Sequence, residues 1–203
     1  MTTLSVLMLV AAPASAENRA AILKDNMEMA RLLENIAAPI LVKNPNLCGS
    51  YTKPYLGVEF MTRAGVGQSY QDLVTKNYGV GEFPTVTFVG KGSPADGNLL
   101  PKDVITNVNG LNLKKGNDGQ YALEDEIAKG EALNLTLERA GAQKTVSVTP
   151  AKVCGAKVRL DASDENKVWA DKGKVFVSKG ALRGQSPETL AAEIKTQLSR
   201  YKK

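Results

Sequence analysis

The chain contains no histidine. That absence removes the His-Glu-x-x-His zinc site, in which two imidazoles at i and i+4 hold the metal beside a carboxylate base. It also removes Ser-His-Asp and Cys-His nucleophile systems. Composition leaves a Ser-Lys pair open, but no length of chain is left over for a protease domain to carry one. Aromatics are scarce at 5% and cysteines number two. No stretch approaches the ~20 consecutive apolar residues of a membrane helix. No glycine-rich phosphate loop runs on into Lys and Ser or Thr, and the adjacent carboxylates Asp164 and Glu165 read as a solvated turn. These gaps point away from an enzyme: no catalytic residues, no metal ligands and no cofactor are expected.

What is present suits a globular protein, with 203 residues of which 43% are hydrophobic. The opening MTTLSVLMLVAAPASAEN carries an apolar run from Leu4 to Ala12 and small residues at Ala14 and Ala16. It reads as a signal peptide over residues 1–16, without the usual basic start, and implies a periplasmic or secreted location. A buried N-terminal helix is the alternative. The net charge of +5 is uneven: residues 167–203 hold nine Lys or Arg and three acids, giving +6, and the rest sums to −1. Without interleaved aromatics this tail reads as a solvated face, with weak contact to anionic membrane as a further option and no nucleic-acid partner expected. Behind an export signal, Cys48 and Cys154 favour a disulfide closing a loop of roughly 100 residues, for which the chain-entropy model gives about 4 to 5 kcal/mol. Two separate buried thiols are the other reading.

The chain divides in order. Residues 17–47 form an N-terminal helical segment whose Ile22, Leu23, Met27, Ala30, Leu33 and Ile36 or Ala37 recur at helical spacing, with Pro39 as a boundary. The helix is expected to pack on the domain that follows. In YTKPYLGVEFMT, the glycine of Tyr55-Leu56-Gly57-Val58 lets the backbone bend ahead of a strand from Val58 to Thr62. Residues 64–83 read as a mobile flap around a short helix capped by Ser69. The stretch from Thr85 to Gly110 begins with a strand through Val86, Phe88 and Val89. It turns through Ser93-Pro94-Ala95 and Asp96-Gly97-Asn98, where residues tolerant of a left-handed backbone are needed, and closes a second strand at Asn109-Gly110. Lys114 to Gly119 is a polar loop, and Gln120 to Lys129 a helix ended by Gly130, with Leu123 and Ile127 one turn apart. Leu133, Leu135 and Leu137 alternate with polar residues in a strand that turns at Ala140-Gly141 into another through Val146 and Val148. The sequon at Asn134 lies inside that strand and reads as structure.

These residues resemble a bacterial PDZ domain. Ser93, Pro94, Ala95, Leu99, Asp103, Ile105, Asn109 and Gly110 fit its central motif, while Asn98 and Lys102 stand where the family has glycine. The resemblance implies an α+β fold, a small, partly open β-barrel with two capping helices, over residues 48–154. It would be preceded by the N-terminal helix and followed by a short α/β tail over 155–203. It also implies a peptide site in which backbone N–H groups of Tyr55, Leu56, Gly57 and Val58 hold a terminal carboxylate beside a strand edge open to augmentation. Phe60, Leu123 and Ile127 would accept an apolar terminal side chain, although for Leu123 and Ile127 a place in the core is the favoured alternative.

The tail resembles the start of periplasmic HExxH zinc metallopeptidases that carry a PDZ domain ahead of the catalytic part. Asn166, Trp169, Ala170, Asp171, Gly173, Val175, Val177, Gly180 and Leu182 fit, as do Leu190 and Ala191. Where the zinc motif should fall stands Thr196-Gln197-Leu198-Ser199-Arg200. The expectation is therefore an exported, non-catalytic PDZ protein binding C-terminal or extended peptide segments of envelope proteins. The alternative is a truncated or inactive metallopeptidase homologue acting in proteolysis or its regulation.

Overall fold

The computed structural model describes residues 16–201. The expected signal peptide, residues 1–16, lies outside them except for its last position. Helix α1 (Ala16–Lys43) leads through a 3-10 turn at Pro45–Cys48 into strands β1 (Thr52–Tyr55) and β2 (Val58–Met61). Helix α2 (Gln71–Tyr78), strands β3 (Thr85–Val89), β4 (Val104–Val108) and β5 (Leu111–Asn112), and helix α3 (Asn117–Ala128) follow. Then come β6 (Leu133–Arg139), β7 (Ala142–Val148), β8 (Ala151–Cys154), β9 (Lys157–Asp161), β10 (Val168–Asp171) and β11 (Lys174–Ser178), and the helices α4 (Lys179–Gly184) and α5 (Pro187–Ser199) close the chain.

The central sheet runs β2-β3-β4-β6-β7, with β5 hooked onto β4. It stays open, in keeping with the expected mixed fold and partly open barrel. Alternation builds its core: along β6 Leu133, Leu135 and Leu137 are fully buried while Asn134 and Glu138 face solvent. Each such leucine contributes roughly 1.5 to 3 kcal/mol on burial. Leu56, Val86, Leu99, Ile105, Val108 and Leu123 complete the cluster. Asp103 is buried against Arg139, whose guanidinium donates to both carboxylate oxygens at 2.7 and 2.6 Å.

A second core joins the two ends of the chain. Leu33, Ile36, Ile40 and Leu41 of α1 pack with Val153, Val175, Val177, Leu190, Ile194 and Leu198, and the buried Cys48–Cys154 disulfide lies among them. The three-stranded sheet β10-β11-β9 forms one wall of it. Lys179 and Arg183 of α4 both pair with Asp25 of α1, at 2.6 and 2.7 Å. The N-terminal helix thus packs chiefly on the C-terminal segment, where the sequence suggested only the middle domain as its support.

Three local expectations change. Pro39 lies inside α1, not at its end. Interrupting a helix with proline costs about 3 kcal/mol, but stopping there would leave Ile40 and Leu41 unburied, and both are below 10% exposed. Ser69 sits in a 3-10 turn, and α2 is capped by Tyr70 without a side-chain bond. The segment 64–83 is tied down and is not a loose flap. Val74 and Val80 are fully buried, Arg63 N donates to Gly81 O at 2.8 Å, and Arg31 lies over the Tyr78 ring.

Candidate functional site

Strand β2 ends the central sheet. It pairs antiparallel with β3 on one side, and among the described residues no strand pairs with its other edge. The turn that leads into it is fixed from behind. Gly57 has φ +75°, and a Cβ there would fall 2.1 Å from the Cβ of Ser93. Gly57 O accepts bonds from Gly90 N at 2.8 Å and the Ser93 hydroxyl at 3.3 Å, and Leu56 O accepts one from Ala95 N at 3.1 Å. A trans peptide sets its N–H opposite its C=O. With both carbonyls drawn towards residues 90–95, the N–H groups of Gly57 and Val58 turn to the other side. The Ser93-Pro94-Ala95 segment is therefore the brace that aims this turn, which the sequence had suggested only as a separate reversal.

On that other side α3 lies across from β2, and the two enclose a groove of about 370 Å³ running along Lys53 to Phe60 and bounded by Gln120, Glu124 and Ile127. A smaller continuation of about 220 Å³ shares Phe60 and Gln120 and extends to Met61 and Tyr121. Of the residues expected here, Tyr55, Leu56, Gly57, Val58, Phe60 and Ile127 all line the groove. Leu123 does not: it is fully buried in the central core. The helix begins at Asn117, three residues before its expected start, and takes in Gly119, which packs so tightly on the Lys114 carbonyl that a Cβ would approach it to 1.9 Å. Ile127, Glu124 and Gln120, at helical spacing, make up the groove face. Gln120 and Glu124 carry no signal in the sequence, since a pocket for an apolar terminal side chain implies an apolar wall.

The electrostatics are polarised. Lys53, at the turn end, makes no ion pair among the described residues, and burial, followed by repulsion from Lys157 and Arg159, holds its ammonium below the ordinary value. Tyr55 sends its side chain behind β2, where its hydroxyl donates to Glu34. Burial first, then the Glu34 charge, pushes that phenol above its ordinary range. Glu59 projects to the same face; loss of solvent around its carboxyl and repulsion from Glu34 raise its pKa, against the pull of Arg31 and Arg159.

Residues 54–149, just under half of the chain, match the family model of the PDZ domain. No curated protein sequence matches. Among solved structures, the HtrA3 PDZ domain bound to a phage-derived ligand, FGRWV, is 24% identical; the match covers 52% of this chain and 91% of that one, with a TM-score of 0.40. A serine endoprotease from Yersinia pestis is 20% identical, with 51% of this chain and 30% of that chain covered and a TM-score of 0.35. The HtrA-type protease AlgW with decapeptide is 22% identical, with coverages of 50% and 30% and a TM-score of 0.37. This chain thus spans under a third of the length of either protease.

Proposed function

We propose that the PDZ domain at residues 54–149 binds the C-terminal or extended peptide segments of other proteins, without catalysing a reaction on them. The observation that carries this is the braced Leu56-Gly57-Val58 turn beside an unpaired strand edge. An added peptide strand would pair with β2, its terminal carboxylate meeting the N–H groups of Gly57 and Val58 with Lys53 nearby. Its last side chain would enter the apolar end of the groove between Val58, Phe60 and Ile127. Main-chain pairing plus one pocket buries little surface, so affinity is expected in roughly the micromolar range.

Calorimetric titration of the whole protein with free-carboxylate decapeptides, each matched by its C-terminal amide, tests this. Amidation should weaken binding about tenfold or more by replacing the anion. Equal binding of acid and amide, or no binding of either, would overturn the reading. Gly57→Ala should weaken every peptide, since it strains the turn that aims the donors.

The Cys48–Cys154 disulfide supports export to an oxidising compartment such as the periplasm, with envelope proteins as the partners. Salt-sensitive binding to anionic vesicles would reveal a membrane role for the basic tail. A second reading, an inactive relative of PDZ-bearing metallopeptidases acting in proteolysis or its regulation, draws on the tail. There the β10–β11 hairpin turns through left-handed Lys172 and Gly173, within the stretch from Asp171 to Gly173 that carries the resemblance. Stoichiometric zinc or casein cleavage by the purified protein would overturn the non-catalytic assignment.

A further inference from the structure

Successive side chains of a strand point to opposite faces of its sheet. If the terminal side chain of a docked peptide enters the groove beside α3, the penultimate one must point to the opposite face of β2. There a second cavity of about 390 Å³ opens, and most of its wall lies outside the PDZ domain. Ala30 and Glu34 come from α1 and Arg159 and Leu160 from β9, while Glu59 and Phe88 come from β2 and β3. Tyr55, Val58 and Glu59 border both this cavity and the groove, so the two meet along the unpaired edge.

Charge is graded along that edge. Lys157 and Arg159 are near enough to Lys53 to repel it at the turn end, with Glu34 opposing them, and none of the three cations makes an ion pair or side-chain hydrogen bond among the described residues. Next along the strand stands Glu59, whose carboxylate is likewise without hydrogen bond or ion pair, with Glu34 close enough to repel it and Arg31 and Arg159 close enough to attract it. Glu124 bounds the groove on the α3 side. A ligand matching this order carries an anion at its end and a cation one residue in. The apolar part of the wall, Ala30, Phe88 and Leu160, suits the methylene stem of a long basic side chain.

We infer that this cleft is a second subsite of the peptide groove, assembled by α1 and β9, and that it selects C-terminal peptides with lysine or arginine in the penultimate position. The inference rests on the peptide-binding reading above and narrows it to a ligand class. Glu59 is the specificity-determining residue, and Glu34 reinforces it. Arg159, in the wall of the cavity, acts on both Lys53 and Glu59.

The test is titration of the whole protein, at low ionic strength, with three valine-terminated decapeptides that differ only in a penultimate Lys, Ala or Glu. The Lys peptide should bind about threefold to tenfold more tightly than the Ala peptide, and the Glu peptide more weakly than either. In Glu59→Gln the Lys-to-Ala affinity ratio should fall to about one, and in Glu59→Lys the order should reverse in favour of Glu. Glu59 is exposed as a residue although its carboxyl lies against the cavity wall, and its side chain holds no ion pair or hydrogen bond among the described residues that a substitution would break, so both variants are expected to fold. Equal affinity for Lys and Ala, preference for Glu in the native protein, or a Lys preference that survives Glu59→Gln would overturn the subsite while leaving peptide binding intact. Failure of all three to bind would overturn both.

Discussion

The two cores of this protein are built on opposite plans. The central one draws Leu56 through Val148 from a single continuous stretch, with strands that alternate and reversals that use glycine and Asn-Gly. The other joins α1 to segments more than 100 residues later and carries a disulfide whose cysteines are 106 positions apart. A core made of sequence neighbours states its pairing in local pattern. One made of distant segments depends on closing a long loop first, and closure costs entropy before any contact rewards it. The disulfide removes that cost from folding by holding the ends near each other in the unfolded chain.

Removing the bond is the strongest way to break this contrast. Cys48→Ser with Cys154→Ser should lower the unfolding free energy by about 4 to 5 kcal/mol. The loss should fall unevenly. The single tryptophan, Trp169, stacks on Phe176 at 5.2 Å within the β10–β11 hairpin and reports on the end core alone. Its fluorescence transition should move to lower denaturant, ahead of loss of amide protection in β4 and β6. Coincident transitions would mean that the two cores unfold as one unit. The mirror experiment is Arg139→Met, which strands the Asp103 carboxylate, itself fully buried. Leaving one buried partner uncompensated costs about 3 kcal/mol, and amide exchange should quicken in β4 and β6 while β9 to β11 stay protected.

The same contrast explains what the sequence revealed. Gly57 was readable because a left-handed turn ahead of a strand needs glycine, and the Leu133, Leu135 and Leu137 alternation is visible without any partner. Cys48 and Cys154 could be matched because only two cysteines exist. Ser93 as the brace behind Gly57 was not readable, since that contact joins positions 36 apart and a serine in a turn has local uses enough. Leu123 and Ile127 could not be told apart, because they stand one turn apart on one face of α3 and only the packing of that helix on the central core and β2 decides which of them is buried outright. The continuation of α1 through Pro39 answers to burial against partners from the far end of the chain, and no local rule contains them. Glu34 and Arg159 were invisible as neighbours of the groove for the same reason.

Acid titration sharpens the comparison at the joint between α1 and α4. Hydrogen bonds first from Lys179 and then from Arg183 hold the Asp25 carboxyl below its ordinary value. A carboxyl depressed in the folded state contributes stability that is present above its unfolded pKa and lost as pH falls through the folded one. Below about pH 4 the end core should therefore weaken, and Asp25→Asn should lose less stability over that window than the native protein. An equal loss would shift the effect to Glu126, Asp161 and Glu188, whose carboxyls are also held low.

The smallest effect lies in the central core, at the two positions where this chain departs from glycine. Lys102 has φ +76° and so takes a left-handed backbone with a full side chain, whereas Asn98 does not, because Gly97 at φ +80° absorbs that reversal. Holding a non-glycine residue there costs roughly 1 to 2 kcal/mol, and glycine returns about 0.5 to 1 of that as extra freedom in the unfolded chain. Lys102→Gly should therefore gain about 0.5 kcal/mol in thermal unfolding, while Asn98→Gly gains nothing and forfeits the bond from its side-chain nitrogen to Pro94 O. If Asn98→Gly were the stabilising change, the reversal would turn at Asn98 and not at Gly97, and the brace that begins at Ser93 would have to be redrawn.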